Sequence, residues 1–185
     1  EWPRGMITEL HGKTLGIIGT GAIGAQVARL GKSIGMNVIA WTFHPDSNLE
    51  KSIPLQWTKF DDIFTQSDVV SVHVRHSPDT HRFIKKKHFD LMKPSALFIN
   101  TARGDVIDES ELINALKVGT IAGAGLDVFS KEPLDKESPL FAMPNVVLTP
   151  HSGGISPETT EAGLLMTIEN VLAFIEGKPT HIVAS

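Results

Sequence analysis

One hexapeptide restricts this chain more than any other stretch. Gly19-Thr20-Gly21-Ala22-Ile23-Gly24 lies between an apolar run, Thr14–Ile18, and a segment of helical period from Ala22 to about Ile34. The spacing alone is weak evidence, because the chain holds 16 glycines. Between a strand and a helix each glycine gains its own task. Gly19 allows a tight turn, Gly21 lets the backbone approach a pyrophosphate, and Gly24 lets helix pack closely on strand. The unpaired amides and positive dipole end of the helix then face an anion. The pattern predicts a dinucleotide cradle.

The rest of the chain repeats the same alternation of short apolar runs and helical segments, the signature of βαβ units. Val38–Trp41, Asp68–Val74, Ala96–Asn100, Ile121–Phe129 and Val146–Leu148 read as further strands. Their nearly unbroken apolar runs predict parallel strands covered on both faces. In the first helix Ile23, Val27, Leu30 and Ile34 form one apolar stripe, and Gly35 stands at the left-handed C′ position. Asp108 and Glu111 are spaced as a capping box, with Ile107 and Leu112 as its hydrophobic staple; that helix should stop at Gly119. Ser156-Pro157-Glu158 supplies an N-cap, a proline at N1 and a first-turn acid for a last helix ending at Gly177. The fold class is α/β, a doubly wound parallel sheet of Rossmann type. Residues 1–155 are expected to form the dinucleotide-binding domain, and residues 156–185 a C-terminal helix and tail.

Composition removes several function classes. Lys and Arg number 17 against 21 Asp and Glu, for a net charge of −4 with the signs interspersed. No basic face is available for a nucleic acid or an anionic membrane. Cysteine is absent, which removes disulfides and thiol nucleophiles and suits a reducing cytoplasm. There is no apolar run of spanning length and no charged-then-apolar leader. The chain begins Glu1-Trp2-Pro3 without a Met, which points to a segment of a longer protein. His73-x-x-His76 has no carboxylate nearby, so no metal site is expected. Gly31-Lys32-Ser33-Ile34-Gly35 matches a nucleophile-elbow pattern, but its serine falls in the last turn of a helix. Lys85-Lys86-Lys87 reads as a solvated helix start.

At the end of the second strand a dinucleotide fold usually places an acid for the ribose hydroxyls. Here Trp41 is followed by Thr42, Phe43, His44 and Pro45, with neither acid nor arginine. Thr42 can donate to a ribose hydroxyl and nothing repels a phosphate. The expectation is NAD, with NADP as the alternative.

Four further stretches carry a family resemblance. Gly12–Gly19, Asn100-Thr101-Ala102-Arg103-Gly104, Gly125–Phe129 with Glu132-Pro133-Leu134, and Thr149-Pro150-His151-Ser152-Gly153-Gly154 occur in one order and spacing. Together they resemble the nucleotide-binding domain of the D-isomer-specific 2-hydroxyacid dehydrogenases, over nearly the whole chain. The resemblance implies a reactive set of Arg103, Glu132 and His151. His151 would exchange a proton with the substrate oxygen, Glu132 would fix its tautomer and favour the imidazolium, and Arg103 would hold the substrate carboxylate. It also implies Ala22 and Ile23 at the pyrophosphate, Val74 near the adenosine, Thr101 and Ala102 beside the nicotinamide, and Asp127 on its carboxamide. Gly153 and Gly154, together with Arg103 and His151 themselves, join the cofactor-binding set.

The activity implied by the resemblance is that of an oxidoreductase interconverting a small 2-keto acid and its D-2-hydroxy acid by hydride transfer. A homodimer is the implied assembly. The family carries a further N-terminal segment of domain size that forms much of the substrate domain and would be absent here, with the C-terminal helix returning to it. A chain with half the cleft should bind cofactor and turn over poorly. The alternative in the same fold is an NAD-sensing, corepressor-like regulator. Two positions depart from the pattern: Thr42 replaces the usual acid, and Val74 is followed by Arg75 where a proline is common.

Overall fold

A computed structural model describes residues 7–182. Seven strands are threaded by helices: β1 (Thr14–Ile18), α1 (Ala22–Ser33), β2 (Asn37–Trp41), α2 (Ser47–Ser52), β3 (Gln56–Trp57), α3 (Phe60–Gln66) and β4 (Val69–Val72) come first. They are followed by α4 (Lys86–Leu91), β5 (Leu97–Asn100), α5 (Glu109–Lys117), β6 (Gly123–Leu126), β7 (Val146–Leu148) and α6 (Pro157–Ile175). The strands form one parallel sheet in the order β3-β2-β1-β4-β5-β6-β7. The strand order reverses between β1 and β4, and in such sheets ligands bind at the carboxyl ends beside that switch.

Alternation along the strands divides the core between two faces. Ile18 and Ile39 join Phe64, Phe89, Phe98 and Leu112 in one cluster, which draws on α3, α4 and α5. Leu15, Ile17, Val38 and Ala40 join Ala25 and Ala28 of α1 in the other. Both faces of β1 are therefore covered, as the apolar runs predict.

The apolar stripe of α1 is not the face that packs on the sheet. Ile23, Leu30 and Ile34 are 70%, 57% and 53% exposed, while Gly24, Ala25, Ala28 and Gly31 are buried. The physical reason is proximity: a Cβ at Gly31 would lie 2.6 Å from Leu15 Cδ2. Small residues let α1 approach the strand; of the stripe only Val27 packs against the core, while Ile23, Leu30 and Ile34 are turned outward. The capping box at α5 is also only half formed. The Asp108 carboxylate accepts from the Glu111 amide at 3.4 Å, but the Asp108 amide donates to the Ile84 carbonyl at 2.8 Å. Helix ends follow the glycines, with Gly35, Gly119 and Gly177 at φ of 84°, 73° and 72°.

The chain divides into two compact units between Pro150 and His151. The first holds the sheet. The second holds α6, whose start is a reciprocal cap: Ser156 Oγ accepts from the Thr159 amide at 3.1 Å, and Thr159 Oγ1 from the Ser156 amide at 2.8 Å. Among the described residues no helix is long and apolar enough to cross a membrane.

Candidate active site

The turn after β1 is held from both neighbouring strands. The Gly19 amide donates to the Trp41 carbonyl at 2.8 Å, and the His73 amide to the Ile18 carbonyl at 2.7 Å. Gly19 has a φ of 92°, and a Cβ there would come within 2.7–2.9 Å of Val74 and the His73 carbonyl carbon. At Gly24 a Cβ would meet the Gly19 carbonyl oxygen at 2.0 Å. Gly21 is different: it faces open space, and no side chain caps α1 there. The first-turn amides of α1, including those of Ala22 and Ile23, therefore meet neither a capping side chain nor a first-turn acid. That donor set fits a pyrophosphate.

Beside the turn, at the ends of β2 and β4, lies a pocket of about 430 Å³. Its walls include Thr42, His44, His73, Val74, Arg75 and Asp79. His73 Nε2 is 2.9 Å from Ser71 Oγ, and burial pushes its pKa down to about 4. It presents a neutral ring beneath the glycine turn. The sequence points to Thr42 and Val74 as site residues but does not single out His44 or Asp79. Their place just beyond strand ends that flank the turn is the signal that could have found them.

One strand further along the same sheet edge, the loop after β5 carries Thr101, Ala102 and Arg103. It is shaped by Asn100, which is fully buried. Asn100 Nδ2 donates to the Arg103 carbonyl at 3.0 Å, and Asn100 Oδ1 accepts from the Ala102 amide at 3.1 Å. Arg103 is exposed, with Nη1 donating to the Ala102 carbonyl at 2.6 Å. The next residue, Gly104, is seated against the following loop: a Cβ there would lie 1.9–2.4 Å from the backbone of Phe129 and Ser130. That second loop carries Glu132, whose Oε1 accepts from the Phe129 amide at 3.0 Å. The Glu109 carboxylate ties it to α5, accepting from the Ser130 amide and hydroxyl, both at 2.9 Å. Asp127, at the end of β6, is 5% exposed and accepts from Thr149 Oγ1 at 2.5 Å. The structure thus brings the Arg103 and Glu132 loops into backbone contact.

His151 opens the second unit with a φ of 52°, a left-handed backbone uncommon for a residue with a side chain. Gly153 and Gly154 come after it, exposed, and the Gly154 carbonyl accepts from Thr159 Oγ1 at 2.9 Å. The segment is thereby tied to the start of α6.

These motifs and this fold have a known counterpart. The family model described as "D-isomer specific 2-hydroxyacid dehydrogenase, NAD binding domain" matches residues 1–153. The chain belongs to this family. Within the D-isomer specific 2-hydroxyacid dehydrogenases it has several named relatives. It is 40% identical over 176 residues to a glyoxylate reductase of Aeropyrum pernix, covering 95% of this chain and 52% of the relative. It is 40% identical over 180 residues to a glycerate dehydrogenase of Methylorubrum extorquens, covering 96% and 54%. Among solved structures, D-lactate dehydrogenase with NAD+ from Lactobacillus jensenii superposes with a TM-score of 0.87 at 33% identity, covering 97% of this chain and 58% of that one. The chain thus spans about half the length of the curated relatives it matches.

Proposed function

We propose that the protein is an NAD(P)-dependent oxidoreductase that interconverts a small 2-keto acid and its D-2-hydroxy acid. The observation that carries this reading is the seating of Gly104 on Phe129 and Ser130. It holds a guanidinium loop and a carboxylate loop together on the sheet edge that also bears the open glycine turn. A substrate with a carboxylate beside a carbonyl needs such an arrangement, and the relatives' names specify acids of this class.

When bound, the dinucleotide supplies a hydride to the carbonyl carbon, or takes one from the alcohol carbon. The amides of Ala22 and Ile23 hold its pyrophosphate, with Gly19, Gly21 and Gly24 giving the clearance. Thr42 and Val74 line the adenosine side. Thr101, Ala102, Gly153 and Gly154 flank the nicotinamide, and Asp127 binds its carboxamide. Arg103 grips the substrate carboxylate through paired donors, which fixes the carbonyl face presented for reduction. His151 donates a proton to the carbonyl oxygen as negative charge develops there, and accepts it in the reverse direction. Glu132 accepts a hydrogen bond from the far ring nitrogen and so fixes the imidazole tautomer.

Residues 1–155 act as the dinucleotide-binding domain and 156–185 as a segment serving the substrate domain. On its own this chain binds cofactor and turns over slowly, because much of the rate comes from positioning the substrate. The working assembly is a homodimer in a reducing, cytoplasmic setting, which the absence of cysteine supports. The test is to give the whole protein glyoxylate, pyruvate, hydroxypyruvate and bulkier 2-keto acids while following reduced-nicotinamide absorbance. Consumption with formation of the D-hydroxy acid is expected. Silence across the panel, with association driven by cofactor, would transfer the assignment to a dinucleotide-sensing regulator.

A further inference from the structure

The pocket beside the glycine turn has an unusual balance of charge for a site that would grip two ribose hydroxyls. The half-buried strand-end position where an acid usually accepts from those hydroxyls is Thr42. His44 stands two residues later, and from the opposite wall, three residues beyond the end of β4, comes Arg75. No ion pair joins Arg75 to a carboxylate among the described residues. Its backbone is nevertheless fixed. Thr80, 3% exposed, donates through Oγ1 to the Arg75 carbonyl at 2.8 Å and accepts from the Ser77 amide at 2.7 Å. Asp79 is the single acid in the pocket wall, and it is solvent-exposed.

We propose that this pocket takes an adenosine ribose bearing a 2′-phosphate, with Thr42, His44 and Arg75 as its phosphate subsite, so that the protein binds NADPH more tightly than NADH. The inference rests on the dinucleotide reading above and specifies its cofactor. A phosphate monoester carries between one and two negative charges at neutral pH. The guanidinium meets it with paired, charge-assisted donors. The Thr42 hydroxyl and an imidazole N–H of His44 supply further donors from the other wall. An acid at position 42 would repel the same group, so its replacement by threonine removes the feature that normally excludes the phosphorylated cofactor.

The experiment is a calorimetric titration of the 185-residue chain with 5′-ADP and with 2′,5′-ADP. Both fragments lack the nicotinamide, so the readout is binding alone. The 2′,5′-ADP is expected to bind at least about tenfold more tightly. That advantage should shrink as salt screens the exposed charges. Arg75→Gln should remove most of it while leaving 5′-ADP affinity unchanged, and Thr42→Asp should reverse the order. Circular dichroism checks that each variant is folded, and the wild-type ratio decides the matter even where a variant is not. Equal binding of the two fragments overturns the subsite and leaves the dinucleotide reading standing. An Arg75→Gln effect equal on both fragments overturns the role of Arg75. If neither fragment binds, the dinucleotide reading falls and the subsite falls with it.

Discussion

The buried side chain of Asn100 clasps the backbone of Arg103, donating to its carbonyl at 3.0 Å while accepting from the Ala102 amide at 3.1 Å. The clasp sets the path of the loop that carries the guanidinium, so Asn100 acts through Arg103 as a positioning residue. Asn100→Leu keeps the branched heavy-atom shape but leaves the Ala102 amide and the Arg103 carbonyl without their partner. A loss of about 2 kcal/mol in urea unfolding is predicted, given the cost of unpaired buried groups. In the whole protein kcat/KM for a 2-keto acid should fall by about 10- to 100-fold, through misplacement of the guanidinium. Cofactor affinity should fall less than kcat/KM, because the same clasp holds Ala102 as well as Arg103. A variant with normal kcat/KM would show that the loop path is set elsewhere.

Two glycines are expected to resist even a methyl group, for the same reason at different places. A Cβ at Gly24 would lie 2.0 Å from the Gly19 carbonyl oxygen, and one at Gly104 within 2.4 Å of the Phe129–Ser130 backbone. Neither obstacle is a flexible side chain. Gly24→Ala and Gly104→Ala should each cost about 1–3 kcal/mol or more, the range for forced overpacking. They should differ in function. Gly24→Ala weakens dinucleotide binding, and Gly104→Ala lowers turnover with little change in cofactor affinity. Calorimetry and steady-state kinetics on the two variants separate these effects.

Acid should destabilise the first unit in two stages. His88 is 2% exposed, its Nδ1 accepts from the Lys85 amide at 2.8 Å, and burial pushes its pKa down to about 4. Between the unfolded-chain value near 6.5 and that folded value, the unfolded state binds more protons, so stability falls as pH drops through this window. A tenfold difference in proton affinity is worth about 1.4 kcal/mol, so the loss reaches a few kcal/mol at most. Asp68 acts lower on the scale. Burial raises its pKa, but the Thr14 amide at 2.8 Å and the Lys93 ammonium at 2.9 Å outweigh it and hold the carboxyl below its ordinary value. That contribution is present above the unfolded carboxylate range and is lost as pH falls below about 4. Urea midpoints from about pH 7 to about pH 4 should show the first loss in the wild type and a flatter limb in His88→Gln.

The two faces of α1 should respond oppositely to substitution. Leu30→Gln lies on the exposed stripe, and its effect on unfolding free energy is predicted to stay within about 0.5 kcal/mol. Ala28→Leu enters the fully buried face against β1 and should cost about 1–3 kcal/mol. Equal sensitivity would mean that the helix packs on its large residues after all.

Much of the fold is legible in the sequence because local chemistry and global architecture agree. The strands Thr14–Ile18 and Val146–Leu148 and the start of the last helix at Pro157 are readable to the residue, since apolar runs, glycines and caps mark them. The α1 stripe misleads because periodicity reports where apolar residues lie, not which face is close enough to the sheet. The box at Asp108 is half formed for a tertiary reason: the Ile84 carbonyl competes for the amide. In the candidate site the glycine turn and the Arg103 and Glu132 loops stand out as motifs. The clasp made by Asn100 does not, because it is a pair of side-chain contacts to neighbouring backbone, which no spacing announces. His44 and Asp79 reach the pocket only because β2 and β4 both flank β1.

The most direct measurement compares whole-protein wild type with His151→Gln, Glu132→Gln and Arg103→Gln. The readouts are the rate of reduced-nicotinamide consumption with glyoxylate and, separately, the cofactor dissociation constant. Loss of a positioned proton donor should lower kcat for His151→Gln by about 10²- to 10⁴-fold. Glu132→Gln should lower it less, and Arg103→Gln should act chiefly through KM, in each case with a loss of cofactor affinity smaller than the loss of kcat/KM. Full turnover in His151→Gln, or wild-type KM in Arg103→Gln, would contradict the assignment of these residues to one reaction centre.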